Sequence, residues 1–101
     1  MVYKKNQVFG RTIISSTVTI EAFEQLQSSG NISSAIRDAF DAWVAAGAPI
    51  VAAPYKRTLV NIGTYFTEDD YHTVRAYSIA RKYSLARTIR MAVYWYLYHR
   101  G

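Results

Sequence analysis

A chain of 101 residues has the length of one compact unit, and with half its residues hydrophobic it can bury a core, which argues against disorder along its whole length. It contains no cysteine, which excludes disulfides, cysteine-ligated metals and thiol nucleophiles. The net charge of +5 is carried by residues 51–101, because Lys4, Lys5, Arg11 and Arg37 balance Glu21, Glu24, Asp38 and Asp41 in the first fifty. A basic surface confined to one half of a chain favours a polyanionic partner.

The opening "MVYKKNQVFG" is basic and lacks the apolar stretch and cleavage site of a secretory signal. No run approaches the roughly 18 apolar residues of a membrane span. These features predict a soluble, intracellular protein with no membrane partner. "TIISSTVTI", residues 12–20, is rich in β-branched residues and alternates, which predicts a strand. Its even positions Ile14, Ser16, Val18 and Ile20 are expected to face a core, while Ile13, Ser15, Thr17 and Thr19 face away. A short helix follows over "EAFEQLQSSG", with Ala22, Phe23 and Leu26 on its stripe and Gly30 at its end. Asn31 caps a second helix whose apolar face is Ala35, Ile36, Ala39, Phe40, Trp43 and Val44.

"AAGAPIVAAPY", residues 45–55, holds Gly47, Pro49 and Pro54 and breaks regular structure. Its apolar character predicts a connection lying against the body. A second strand is expected over "RTLVNIGTYF", residues 57–66, with Val60, Ile62, Thr64 and Phe66 inward and Leu59, Asn61, Gly63 and Tyr65 outward. In "TEDD", residues 67–70, Thr67 can cap a third helix, and three acids favour the positive end of its dipole. Tyr71, Val74 and Tyr77 form its stripe. Ser84 caps a fourth helix with the face Leu85, Ile89, Ala92, Val93, Tyr96 and Leu97.

The plan strand, helix, helix therefore occurs twice. A 53-residue offset superposes Asn31 on Ser84, Ile36 on Ile89, Arg37 on Arg90 and Ala39 on Ala92, whereas matching Val18 to Phe66 on the strands needs 48. One such unit cannot bury its own strand and needs the other's as a partner. Residues 1–47 form the first unit, 48–56 the linker and 57–101 the second, expected to make one compact fold together.

The segment "LVNIGTYFTEDDYHTVRAYSIARKYSLARTIRMAVYWYL" resembles the ribbon-helix-helix DNA-binding proteins in its alternating strand, acidic helix start, Ser-capped second helix and "IR-x-A" run. "STVTIEAFEQLQSSGNISSAIRDAFDAWV" is a looser match with a shorter first helix. The family often has Gly between its helices; Gly30 serves in the first copy and Lys82 stands in the second. The two copies together resemble a tandem, single-chain form of the family, similar to small transcriptional regulators of archaeal viruses.

The resemblance implies a mainly α fold with a short β-ribbon, an intramolecular pseudo-dimer, and double-stranded DNA as partner. A two-stranded ribbon would enter the major groove. Ser15, Thr17 and Thr19 from one strand and Asn61, Gly63 and Tyr65 from the other would then meet base edges. Asn61 suits adenine, and Gly63 lets the backbone come close; the alternative is an ordinary solvated sheet face. The helix starts at Asn31 and Ser84, with Ser33 and Arg87 in their first turns, would hold phosphates or serve as simple caps. Lys4, Lys5, Arg11, Lys56 and Arg57 precede the strands, as phosphate-contacting arms or as plain solvated charge. The unlike halves suit two unlike half-sites.

"YWYLYHR", residues 94–100, exceeds what one helix face can bury. Tyr94, Trp95 and Tyr98 are expected to form an exposed patch for self-association along DNA, or to pack on the linker. No cofactor, metal or small-molecule ligand is implied. His72 and His99 have no ligand spacing, and Glu68, Asp69 and Asp70 are dipole partners rather than an acid/base pair, so catalysis is not expected. The alternatives to a sequence-specific regulator are a DNA-coating architectural protein and an antitoxin-like interaction module.

Overall fold

The computed structural model describes residues 7–8, 11–52 and 58–100. It is mainly helical with a short antiparallel sheet. Strand β1 (Gln7–Val8) is followed by β2 (Arg11–Thr19), α1 (Ile20–Gln27), α2 (Ile32–Ala45), β3 (Leu59–Thr67), α3 (Glu68–Arg81) and α4 (Leu85–Tyr98). Strand, helix, helix thus occurs twice, after a two-residue strand that the sequence pattern does not announce. Among the described residues no helix is long and apolar enough to cross a membrane.

Strands β2 and β3 pair antiparallel from Arg11↔Thr67 to Thr19↔Leu59, and the ladder is centred on Ser15↔Gly63. These central residues lie 48 apart, the offset that superposes Val18 on Phe66. β1 adds a short outer pairing at Arg11 and Thr12. Arg11 is therefore the first residue of the strand rather than part of an arm before it. The Ile20 N–H donates to the Thr58 carbonyl at 3.1 Å, and this phases the ladder. Inward residues occupy the hydrogen-bonded pairs, and outward residues the wide pairs whose backbone groups point to the free edges.

Local chemistry ends each strand and starts each helix. Thr19 caps α1, Asn31 caps α2, Thr67 caps α3 and Ser84 caps α4, each side-chain oxygen accepting a backbone N–H of the first turn. Thr19 was expected to face outward; it is instead 2% exposed, because the chain turns into α1 there. Ile20, expected inward on the strand, becomes the first residue of α1 and is exposed. Between α3 and α4 Lys82 adopts the left-handed conformation (φ 57°) that Gly30 (φ 96°) adopts between α1 and α2. Ser78 Oγ donates to the Tyr83 carbonyl across that turn.

The core joins both halves. Ile14, Val18, Ile62 and Phe66 meet Leu26, Ile36, Phe40, Trp43, Val74, Ile89 and Val93. Phe40 packs edge-on against Phe66 at 5.9 Å, and Trp43 packs at a tilt against Tyr77 at 5.4 Å. Trp43 Nε1 donates to the Pro49 carbonyl at 2.8 Å, and Ala48 is buried, so the chain after α2 folds back on the body. The Val51 N–H meets Met91 Sδ at 3.2 Å.

α4 is rotated from the face its periodicity suggests. Tyr94, expected at the surface, is 2% exposed, while Tyr96 and Leu97 lie half-buried at the rim. The cause is polar: the Tyr94 hydroxyl accepts the Thr19 N–H at 3.1 Å, a group outside the ladder pairing that would otherwise be buried without a partner.

The Asp41 carboxyl on α2 is held above its ordinary value by partial burial, then by repulsion from Asp70 and Asp38, against the opposing pull of Arg37. The folded state holds this proton more tightly than the unfolded chain, so a penalty appears as pH rises through the raised value and vanishes below the unfolded one. Asp41→Asn is expected to raise stability to urea at neutral pH, and the gain should disappear as pH falls through the Asp41 titration. Tyr94→Phe leaves the Thr19 N–H unpaired and is expected to cost about 1–3 kcal/mol by urea denaturation.

Candidate nucleic-acid interface

The four helices cover one face of the ribbon and leave the other open. On the open face Ser15 and Asn61 are exposed, Thr17 is half-exposed, and Gly63 and Tyr65 are exposed. Ile13 and Leu59 share this face and are also exposed. None of these seven residues is charged. Cross-strand pairing places Ile13 beside Tyr65, Ser15 beside Gly63 and Thr17 beside Asn61. Thr19, the remaining residue expected on this face, is withdrawn into its capping role.

The middle of the face is shallow because Gly63 has no side chain. Packing does not impose that choice. A Cβ at Gly63 would meet Ser15 Oγ at 3.5 Å, an ordinary contact. Gly63 lies in the extended strand and not among the positive-φ residues, so its backbone conformation does not call for glycine.

Each half's second helix holds the other half's strand. Ser16 Oγ donates to the Ala86 carbonyl at 2.6 Å, and Thr64 Oγ1 donates to the Ser33 carbonyl at 3.4 Å. Arg90 Nε donates to the Thr17 carbonyl at 2.9 Å, and Arg37 Nη1 donates to the Tyr65 carbonyl at 3.2 Å. Arg37 also reaches Thr64 Oγ1 at 3.2 Å. The strand partners in each pair of bonds are 48 residues apart and the helix partners 53 apart. Thr17 and Tyr65 are wide-pair residues, so their carbonyls point to the ribbon's free edges, and a guanidinium covers one on each side. Arg37 and Arg90 stand out in the sequence as repeat positions; their contact with the strands does not, because it spans 28 and 73 residues.

The starts of α2 and α4 therefore flank the ribbon. Asn31 Oδ1 accepts the Ser34 N–H at 3.0 Å and Ser84 Oγ the Arg87 N–H at 3.0 Å. Ser33 is half-buried against β3 through its carbonyl. The exposed Arg87 guanidinium lies over the Tyr83 ring, 4.2 Å from its centroid. Lys4, Lys5, Lys56 and Arg57 lie outside the described residues. A cleft of about 180 Å³ beside Asn31, lined also by Gln25, Asp38 and Tyr96, is smaller than the roughly 300 Å³ of ordinary ligand pockets. Of the aromatic trio on α4, Trp95 is half-buried and Tyr98 exposed, its hydroxyl accepting from Gln25 Nε2 at 3.2 Å.

No protein-family model, curated protein or solved structure matches this chain.

Replacing either arginine by methionine keeps much of the stem but removes the donors. Arg90→Met and Arg37→Met are each expected to lower stability by about 1 kcal/mol in urea titrations, the worth of an ordinary net hydrogen bond at a half-exposed site.

Proposed function

We propose that this protein is a sequence-specific regulator that binds double-stranded DNA by inserting the β2–β3 ribbon into the major groove. In this reading residues 1–47 and 57–101 are two ribbon-helix-helix units fused through residues 48–56 into an intramolecular pseudo-dimer. The reciprocal helix-to-strand bonds and the ladder centred on Ser15↔Gly63 support that symmetry.

The observation that carries the reading is the open ribbon face. It presents uncharged hydrogen-bonding groups from Ser15, Thr17 and Asn61 around a shallow centre at Gly63, in a chain with net charge +5. Two strands about 4.8 Å apart fit a groove about 12 Å wide. An amide matches adenine N6 and N7, and hydroxyls match donors or acceptors. The starts of α2 and α4 on the flanks offer free N–H groups to one phosphate each. One chain then supplies both strands of the ribbon, and binding competence does not depend on protomer concentration. Self-association along DNA would fall to Trp95 and Tyr98, the accessible members of the aromatic trio.

Selection from random duplexes at about physiological salt tests this function. The expected result is an enriched motif whose binding falls on Asn61→Ala by about 1–3 kcal/mol, one bidentate base contact. Gly63→Ala is expected to retain or raise stability, since its Cβ meets only ordinary contacts and it removes glycine's backbone freedom, yet to weaken DNA binding by filling the shallow centre. Binding without enrichment would identify a coating protein instead. Absence of binding would leave a protein partner as the remaining reading.

A further inference from the structure

The open face is not chemically uniform along its length. Taking the central pair as origin, the 48-residue strand offset makes Ile13 equivalent to Asn61 and Thr17 equivalent to Tyr65. Antiparallel pairing then gathers unlike residues at the two ends. Ile13 sits beside Tyr65 at one end, 37% and 42% exposed, and Thr17 sits beside Asn61 at the other. One cross-strand pair is thus apolar and aromatic and the other a hydroxyl and an amide, with the exposed Leu59 lying one step beyond the polar pair.

Resting on the DNA-binding reading above, we infer that the ribbon reads a directional site, with the Ile13–Tyr65 end recognising thymine C5-methyl groups and the Thr17–Asn61 end recognising adenine. Apolar side chains contact the thymine methyl in the major groove, while a carboxamide pairs bidentately with adenine. From Ile13 to Thr17 the strand rises about 13 Å at 3.3 Å per residue. That is about four steps along a duplex with 3.4 Å per phosphate on each strand. Ile13 and Asn61 therefore meet base pairs about that far apart, and one molecule distinguishes the two directions along the duplex.

DNA is the occupant because the Ile13–Tyr65, Ser15–Gly63 and Thr17–Asn61 pairs carry no charge while Arg37 and Arg90 line the ribbon edges and the exposed Arg87 stands at the start of α4, a basic frame that suits a polyanion. The apolar pair is also continuous with the polar one across Ser15 and Gly63, on the same ribbon face. Ile13 and Tyr65 together leave apolar side-chain surface in water, and contact with thymine methyls would bury it.

The test first modifies the DNA alone and then repeats the measurement on two variants of the protein. In the selected motif each thymine is replaced in turn by uracil, which removes the C5-methyl, and each adenine by 7-deazaadenine, which removes N7. Uracil is expected to weaken binding about fourfold at one end, the burial of one methyl. 7-Deazaadenine is expected to weaken it about fivefold at the other, the loss of one hydrogen bond. The uracil effect should vanish in Ile13→Ala and the deazaadenine effect in Asn61→Ala. A motif whose two ends respond alike, or whose ends ignore both changes, would overturn the inference and leave the DNA reading standing. Failure to enrich any motif, or to bind, would overturn both.

Discussion

Everything in this molecule depends on a strand that cannot stand alone. β2 is nine residues long, and its inward face, Ile14, Ser16 and Val18, needs both a neighbouring strand and a cover of helices. β3 supplies the neighbour, and an isolated two-stranded ribbon is still marginal in water. The ribbon is made rigid by the helices behind it, and the bonds are reciprocal: α4 holds β2 through Ser16 and Thr17, and α2 holds β3 through Thr64 and Tyr65. Neither half completes its own strand. The constraint also leaves one ribbon face without helical cover, because the four helices lie on the other.

The edges show how the arrangement manages its exposed backbone. A two-stranded ribbon has two free edges, and unpaired edge carbonyls invite pairing with other chains. Arg37 and Arg90 each cover one such carbonyl from the opposite half. The outward face is then free to vary in chemistry without loss of the fold, and Gly63 illustrates this, since neither its backbone nor its neighbours require glycine. A stability account alone would favour a β-branched residue there. A face meant to approach another surface closely would favour glycine.

Much of the fold is legible in the sequence because its signals are local. Asn31, Thr67 and Ser84 announce the helix starts by residue type, and the alternation in residues 12–18 and 60–66 fixes which side chains face inward. Long-range polar pairing is not local, and there the sequence misleads. Periodicity leaves α4 free to rotate, and the need of the Thr19 N–H for a partner 75 residues away turns Tyr94 inward and moves Tyr96 and Leu97 to the rim. Thr19 looks like one more outward strand residue until the strand ends there and its hydroxyl caps α1. The repeated Arg37 and Arg90 are visible as a pattern, but their purpose requires the opposite strand. The outward positions of the candidate site at 15, 17, 61, 63 and 65 follow from alternation alone, whereas the pairing of Ile13 with Tyr65 requires the register.

The proposed function requires the open ribbon face to meet DNA. Amide chemical-shift mapping of the whole chain, titrated with a duplex at about physiological salt, decides this. The largest changes are expected on Ser15, Thr17, Asn61, Gly63 and Tyr65 and on the first turns of α2 and α4, with α3 little affected. Changes concentrated on α3 or on the end of α4, with the ribbon silent, would contradict it.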